Sequence, residues 1–95
     1  MKINHSEHMT GFFDKQNNKF TMSMLTYDVT HGFYDVPVGK FNHFINNLLP
    51  NNEFEIEFDK HPEKNFSFKT DQFGKVEFKT DFKENVRLVL DKKGA

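Results

Sequence analysis

The groups best able to do chemistry in this sequence are four carboxylates that alternate along one short stretch. They are Glu53, Glu55, Glu57 and Asp59, and the residues between them are apolar. Because side chains in a strand alternate between its two faces, this pattern predicts a strand with all four carboxylates in solvent, about 6.5–7 Å apart. Two interpretations remain open. The row is either a solvated face partly neutralised by Lys69 on a neighbouring strand, or an electrostatic docking site for a basic partner.

A second candidate for partner binding is a polar group that contains His43, Asn46 and Asn47. The residues around it predict a helix, and these three side chains fall on the polar side of that helix. Imidazole and amide groups offer hydrogen bonds to a protein surface, and His43 is expected to titrate near neutral pH. The alternative is that the asparagines only cap the helix end and form the loop after it.

No arrangement of residues typical of catalysis or of cofactor binding is found. His5-x-x-His8 lacks a third metal ligand at a matching spacing, and no serine lies in a glycine-flanked elbow. The five glycines are scattered, so no phosphate-binding loop is predicted, and the chain has no cysteine nucleophile. We therefore expect no enzyme activity, no cofactor and no metal.

The charges are nearly balanced, with 13 Lys and Arg against 14 Asp and Glu and a net charge of −1. This balance disfavours direct binding to nucleic acid or to an anionic membrane. The absence of cysteine fits a reducing compartment, and the polar first ten residues contain no apolar signal segment. We therefore expect a cytoplasmic location.

Composition favours strands, whereas one segment has a helical period. Phenylalanine occupies 13 of 95 positions and the one alanine is the last residue, which is typical of a Phe-rich β core. Between 38 and 49, however, apolar residues recur at helical spacing, and Pro50 follows them. This pattern predicts a single amphipathic helix over 38–49. Its apolar stripe contains Val38, Phe41, Phe44, Ile45, Leu48 and Leu49.

The remaining segments alternate and predict seven strands. Three precede the helix, with a bulge near Met24 and Leu25 and a tight turn at 30–32. Four follow it, near 54–58, 66–70, 76–82 and 86–90, and their short connections predict an antiparallel meander. The expected order is β-β-β-α-β-β-β-β, an α+β fold with the helix packed on one face of the sheet. The 95 residues form one small domain, with 1–10 as a candidate flexible arm.

Between Phe33 and Phe82 this order resembles the WapI-type immunity proteins of bacterial polymorphic toxin systems. In that pattern a strand pair precedes one amphipathic helix that ends in leucine, here 38–49. Alternating strands follow, joined by an Asp-x-x-Gly turn that leads into Val-x-Phe. Here the turn and strand residues are Asp71, Gly74, Val76 and Phe78. The resemblance implies tight binding to a cognate toxin, commonly a nuclease domain, with no cofactor and no catalytic residues.

We therefore expect a small protein that binds and inhibits a basic toxin or a nucleic-acid-processing enzyme by steric and electrostatic occlusion. The alternative is a phage or mobile-element protein. Such a protein would use its carboxylates to mimic nucleic acid against a host defence enzyme, or would serve as an assembly subunit. A third interpretation, a nucleic-acid-binding module that uses exposed Phe and Lys, is disfavoured by the net charge. The sequence leaves open whether the protein is a monomer or an edge-paired dimer.

Overall fold

The structure, a computed structural model, describes residues 8–23 and 27–94. These residues form eight strands and one short 3-10 helix, and no α-helix occurs among them. None of the described residues belongs to a helix long and apolar enough to cross a bilayer. The elements are β1 (Thr10–Asp14), β2 (Lys19–Ser23), β3 (His31–Val36), β4 (Gly39–Ile45), β5 (Glu53–Phe58), the 3-10 helix (Pro62–Lys64), β6 (Phe66–Lys69), β7 (Val76–Phe82) and β8 (Val86–Lys92).

The strands form two four-stranded sheets that pack face to face. The first sheet has the order β1-β2-β4-β7, and the second has the order β3-β8-β5-β6. All the pairings are antiparallel except that of β2 with β4, which is parallel. The chain therefore crosses between the sheets several times, and the architecture is a β-sandwich.

The core lies between the two sheets and is built from alternate residues of their strands. Every second residue is apolar and buried throughout β5 and, in β8, from Val86 to Leu90. Met9, just before β1, is completely buried, and its backbone N–H donates to the carbonyl oxygen of Phe33 at 2.8 Å. Residues 8–10 are thus part of the sandwich, whereas the rest of the candidate arm, 1–7, lies outside the described residues. The largest enclosed apolar side chains are Met9, Tyr34, Ile45, Leu48, Phe54, Ile56, Leu88 and Leu90.

The predicted helix over 38–49 is wrong, because residues 39–45 form β4 in the middle of the first sheet. Phe41, His43 and Ile45 point into the core, whereas Phe44 faces outward beneath Lys19, whose ammonium lies 5.3 Å from the ring centroid. The segment has a helical period only if the His43 side chain is taken to face solvent and the Phe44 side chain to face the core. The structure reverses both assignments, and the pattern then becomes the two-residue alternation of a strand.

The α+β meander is also wrong, since the core face of each sheet is covered by the other sheet and not by a helix. Strand β7 leaves the expected meander and pairs with β4, while β8 inserts between β3 and β5. The predicted turn at 30–32 is absent as well, because His31 and Gly32 already belong to the β3–β8 ladder. The predicted bulge at Met24 and Leu25 lies outside the described residues. Short connections alone did not reveal these crossings, because sheet membership depends on contacts distant in sequence.

Candidate functional site

The outward side of the second sheet carries a cluster of carboxylates, which we call the acidic face. It consists of Glu53, Glu55 and Glu57 from β5 and Asp91 from β8. The three glutamates share one face because the residues between them, Phe54 and Ile56, are fully buried. Glu53 is exposed, and Glu55 and Glu57 are half-buried. The predicted strand and the outward orientation of these three glutamates are therefore confirmed.

The neighbouring strands neutralise the acidic face unevenly. Lys69 lies directly opposite Glu53 on β6, which is the pairing that the sequence left open. Glu55, by contrast, lies opposite Ser67 on one side and opposite Asp91 on the other. Two carboxylates in direct register repel each other. On the Ser67 side this charge is partly offset by the Lys93 ammonium, which donates to Ser67 Oγ at 3.2 Å.

Asp59, the fourth predicted carboxylate, has a structural contact at the end of β5. Its Oδ1 accepts a hydrogen bond from the backbone N–H of Arg87 at 2.9 Å. The Arg87 guanidinium donates to Asp35, with Nε 2.9 Å from Oδ1, and lies 4.7 Å from the centroid of the Phe33 ring. Through this hydrogen bond, Arg87 lowers the pKa of Asp35. At this end of the sheet, one guanidinium therefore lies among two carboxylates, and Asp59 is engaged by a backbone N–H rather than left open to a partner.

His43 is not on the surface, so the expectation that it faces solvent is wrong. Its side chain is 1% exposed and its ring lies between those of Phe20 and Phe78, nearly parallel to both, at centroid distances of 5.2 and 4.7 Å. Desolvation by this burial lowers the pKa of His43 to about 4. The imidazole is thus a neutral core group at neutral pH and is not accessible to a partner.

Asn46 and Asn47 follow directly after β4, where their backbone groups form hydrogen bonds to neighbouring segments; they do not lie on a helix. The backbone N–H of Asn46 donates to the carbonyl oxygen of Met22 at 2.9 Å, and Asn46 Oδ1 is buried without a hydrogen-bond partner. Asn47 adopts a left-handed backbone with φ of 66°, and its carbonyl accepts the N–H of Val29 at 2.9 Å. Both residues are half-buried, and these backbone hydrogen bonds hold the chain after β4 in place.

The described residues contain no group of three or more His, Asp or Glu side chains that is placed to hold a metal ion. Of the His5-x-x-His8 pair, His5 lies outside the described residues. His8 is exposed and contacts the Phe33 ring edge-on at 5.1 Å. The described member of the pair therefore packs against an aromatic ring and has no metal-ligating group around it among the described residues.

Asp91 is the one member of the acidic face that the sequence analysis missed. A signal was present, because Val86, Leu88 and Leu90 alternate toward the core and the same phase sends residue 91 outward. Its position opposite Glu55 could not be predicted, because that position depends on the insertion of β8 beside β5.

Comparison with protein-family models, with curated proteins and with solved structures found no match. The Asp-x-x-Gly turn is present, since Asp71 Oδ1 accepts hydrogen bonds from the N–H groups of Phe73 and Lys75 at 2.8 and 3.0 Å. The helix that contributed to the resemblance to WapI-type immunity proteins is absent. A functional assignment therefore depends on the surface of the sandwich itself.

Proposed function

We propose that this protein is a cytoplasmic protein-binding inhibitor that docks its acidic face onto a basic surface of a partner. The observation that carries this proposal is the position of Glu55 directly opposite Asp91, with Glu53 and Glu57 on either side of Glu55. A toxin domain that acts on nucleic acid offers such a basic surface, and blocking it would neutralise the toxin. An immunity protein is the biological role that this mode of binding fits best.

A concentration of negative charge supports such a role because its electric field attracts a basic partner before the two proteins touch. A row of carboxylates on a rigid strand attracts a basic partner and orients it, which raises the association rate by roughly 10–1,000-fold at low ionic strength. The face is also rigid, because Phe54 and Ile56 anchor β5 in the core between the glutamates. A preorganised surface loses little conformational entropy on binding, so more of the interaction energy is available for affinity.

The same surface supports one alternative from another class, a phage or mobile-element protein that mimics nucleic acid. Carboxylates at regular spacing of about 6.5–7 Å along a strand resemble a line of phosphates. The two candidates predict different competitors. A mimic is displaced from its partner by nucleic acid and is encoded among phage genes, whereas an immunity protein is encoded beside a toxin gene.

The experiment that tests the proposal starts with affinity capture from the native host and identification of the bound protein. Association of the purified pair is then measured by stopped-flow fluorescence at several salt concentrations. Replacing both Glu55 and Glu57 by lysine should slow association about tenfold or more at low salt, with a smaller effect at high salt.

A matched control changes two carboxylates elsewhere. Glu63 and Glu77 are exposed and lie in the 3-10 helix and in the other sheet. Replacing both by lysine alters net charge by the same amount and should leave the association rate within about twofold, because distant exposed charges are screened. Equal slowing in both double variants, or in neither, would overturn the role of the acidic face.

A further inference from the structure

The longest strand at an edge of the sandwich is β7. The edge strands are β1 and β7 in the first sheet and β3 and β6 in the second. Strand β7 has seven residues, whereas β1, β3 and β6 have five, six and four. The edge of β3 is partly covered, because the N–H of Met9 donates to the carbonyl of Phe33. Among the described residues β7 pairs with β4 alone, so its other side offers backbone groups to a further strand.

The outward side chains along this edge alternate in charge. Within β7, the exposed residues occupy every second position, and those between them face the core. One exposed lysine before the strand and one after it continue the same phase. The signs run positive, negative, positive, negative, positive, at Lys75, Glu77, Lys79, Asp81 and Lys83.

The two central charges have no charged residue directly opposite them within their own molecule. Glu77 lies opposite Phe44 of β4, and Lys79 lies opposite Asn42. Both side chains are exposed. They can therefore pair with charges on a strand that adds to the free side of β7.

A second copy of β7 could add antiparallel, about a two-fold axis, and the charges distinguish the possible registers. An axis beside Lys79 gives the longest overlap, but it sets Lys79 against its own copy and Glu77 against the partner's Asp81. Every pair is then of like charge, which disfavours that register. An axis beside Phe78 sets Glu77 against the partner's Lys79, and Lys75 against the partner's Asp81. Every pair is then of opposite charge, and the pairs form twice because of the symmetry.

An axis beside Thr80 also pairs opposite charges, but the core side of β7 favours the axis beside Phe78. The Thr80 register would centre the contact toward the end of β7 where the His61 ring already stacks on Phe82, at a centroid distance of 5.1 Å. Thr80 and Phe82 are also buried already, whereas Val76 and Phe78 are half-buried. The axis beside Phe78 sets Phe78 against its own copy and Val76 against the partner's Thr80. It therefore removes from water the apolar groups that the single chain leaves partly open.

From this pattern, we propose that the chain forms an antiparallel homodimer through β7, with the two-fold axis beside Phe78. The first sheets of the two copies would join into one continuous sheet of eight strands. Because the pairing is symmetric and occupies the free side of β7 in both copies, the assembly closes at two chains. The acidic face lies on the other sheet, so this proposal does not depend on the proposed inhibitor function.

Sedimentation velocity of the full chain, from about 10 µM to about 1 mM, tests for the dimer. One strand from each copy makes a small interface, so we expect a dissociation constant of roughly 100 µM. The backbone amide resonances of residues 74–82 should shift with concentration in NMR spectra, which distinguishes β7 from the other edges. A chain that stays monomeric at the highest concentration, or shifts confined to another edge such as 10–14, would overturn the proposal.

Charge-reversal variants then test the register. Glu77→Lys should weaken self-association about tenfold or more, because it sets two cations against each other, and Lys79→Glu should do the same with two carboxylates. An equimolar mixture of these two variants should recover the dimer as a heterodimer, since each cation then meets a carboxylate. The doubly exchanged chain, E77K/K79E, should also dimerise as the native chain does. An axis beside Thr80 predicts no recovery in the doubly exchanged chain.

The matched control is Lys15→Glu, which reverses an exposed charge in the turn after β1 and should leave self-association unchanged. Equal weakening by this control, undiminished dimers in the two single variants, or no recovery in the mixture and in the doubly exchanged chain would overturn the proposal. The association rates that test the acidic face are measured well below the dissociation constant of the dimer. The chain is monomeric there, so Glu77 can serve in that control and the two proposals fail separately.

Discussion

The phenol oxygen of Tyr34 lies 2.8 Å from Nδ1 of His43, and this buried hydrogen bond joins the two sheets of the sandwich. On the other side of the ring, His43 Nε2 lies 2.7 Å from Oγ1 of Thr80. Burial raises the pKa of Tyr34, which keeps the phenol protonated, and a neutral imidazole can accept from it while donating to Thr80. The three side chains form one satisfied polar group inside a core of phenylalanine.

The stability of the protein should fall in mild acid because of His43. The pKa of His43 is about 4 in the folded state, below its ordinary value of 6.5. The unfolded state therefore takes up a proton at higher pH than the folded state does. The contribution of His43 to the free energy of unfolding should be fully present above pH 6.5. It should decrease as the pH falls toward 4, by about 3 kcal/mol from this group alone.

Urea unfolding followed by circular dichroism between pH 7 and pH 4 measures this loss. His43→Gln removes the titrating group, so the variant should be less stable at pH 7 but should lose much less stability on acidification than the native protein. The control is His31→Gln, which changes a half-buried histidine at the start of β3. An unchanged pH dependence in His43→Gln would show that other groups govern the acid sensitivity.

The Tyr34 hydroxyl should contribute measurably to stability. Tyr34→Phe keeps the ring but leaves a buried nitrogen of His43 without its partner. We expect a loss of about 1–3 kcal/mol in the free energy of unfolding. Tyr27, whose side chain is 80% exposed, provides the matched control. Tyr27→Phe should change the stability by less than about 0.5 kcal/mol, and equal effects at both tyrosines would contradict the role of the buried hydrogen bond.

Adjacent residues in β4 should respond very differently to truncation. Ile45 is completely buried, so Ile45→Ala should lower the free energy of unfolding by about 2–5 kcal/mol. Phe44 faces outward, and Phe44→Ala should cost about 1 kcal/mol or less, because it removes mainly the contacts with the Lys19 and Lys75 ammonium groups. A helix over 38–49 would place both residues on one buried stripe, so comparable losses at both positions would contradict the strand.

This segment also shows where the sequence was informative and where it was not. The alternation of 54–58, 76–82 and 86–90 predicted the strands β5, β7 and β8, because each has a clear period of two. The turn after β1 uses residue types that favour turns, since the Asp14 carboxylate accepts the backbone N–H groups of Gln16 and Asn17, and Asn18 has a φ of 49°. Between 38 and 49, a polar residue that faces inward, His43, and an apolar residue that faces outward, Phe44, gave the sequence a helical period and led to the wrong prediction of a helix.

The pairing of the strands could not be derived from local patterns. Alternation predicts which side chains share a face, but it does not specify which strands are neighbours. The outward direction of Glu53, Glu55 and Glu57 was therefore predictable, whereas the contact of Glu55 with Asp91 was not. The burial of His43 was missed for a related reason, because its partners Tyr34 and Thr80 come from other strands.

Gly74 should resist substitution because of its close approach to Leu48. Its φ is +68°, and an added Cβ would lie 2.9 Å from the carbonyl carbon of Leu48 and closer still to the carbonyl oxygen. Leu48 is itself buried and donates its N–H to the carbonyl of Gly74 at 3.0 Å. Gly74→Ala should therefore lower the free energy of unfolding by about 2 kcal/mol or more.

Gly94 is the control for this substitution. It also has a positive φ, of 79°, but nothing lies within 4 Å of an added Cβ. Gly94→Ala tests the backbone conformation alone and should cost less than Gly74→Ala, about 1–2 kcal/mol. The difference between the two variants, measured by thermal unfolding, reports the steric contribution of the Leu48 contact. No difference would mean that the chain around residue 48 moves aside without cost.

The central position of β8 in the second sheet has a consequence for the order of events during synthesis. Strands β3 and β5 both pair with β8 (residues 86–92), which is the last of the eight strands to leave the ribosome. Until that segment emerges, each of them exposes an open edge of unsatisfied backbone groups in the nascent chain. We therefore expect this sheet to close after translation has passed residue 92, with the earlier strands vulnerable to aggregation or dependent on chaperones until then.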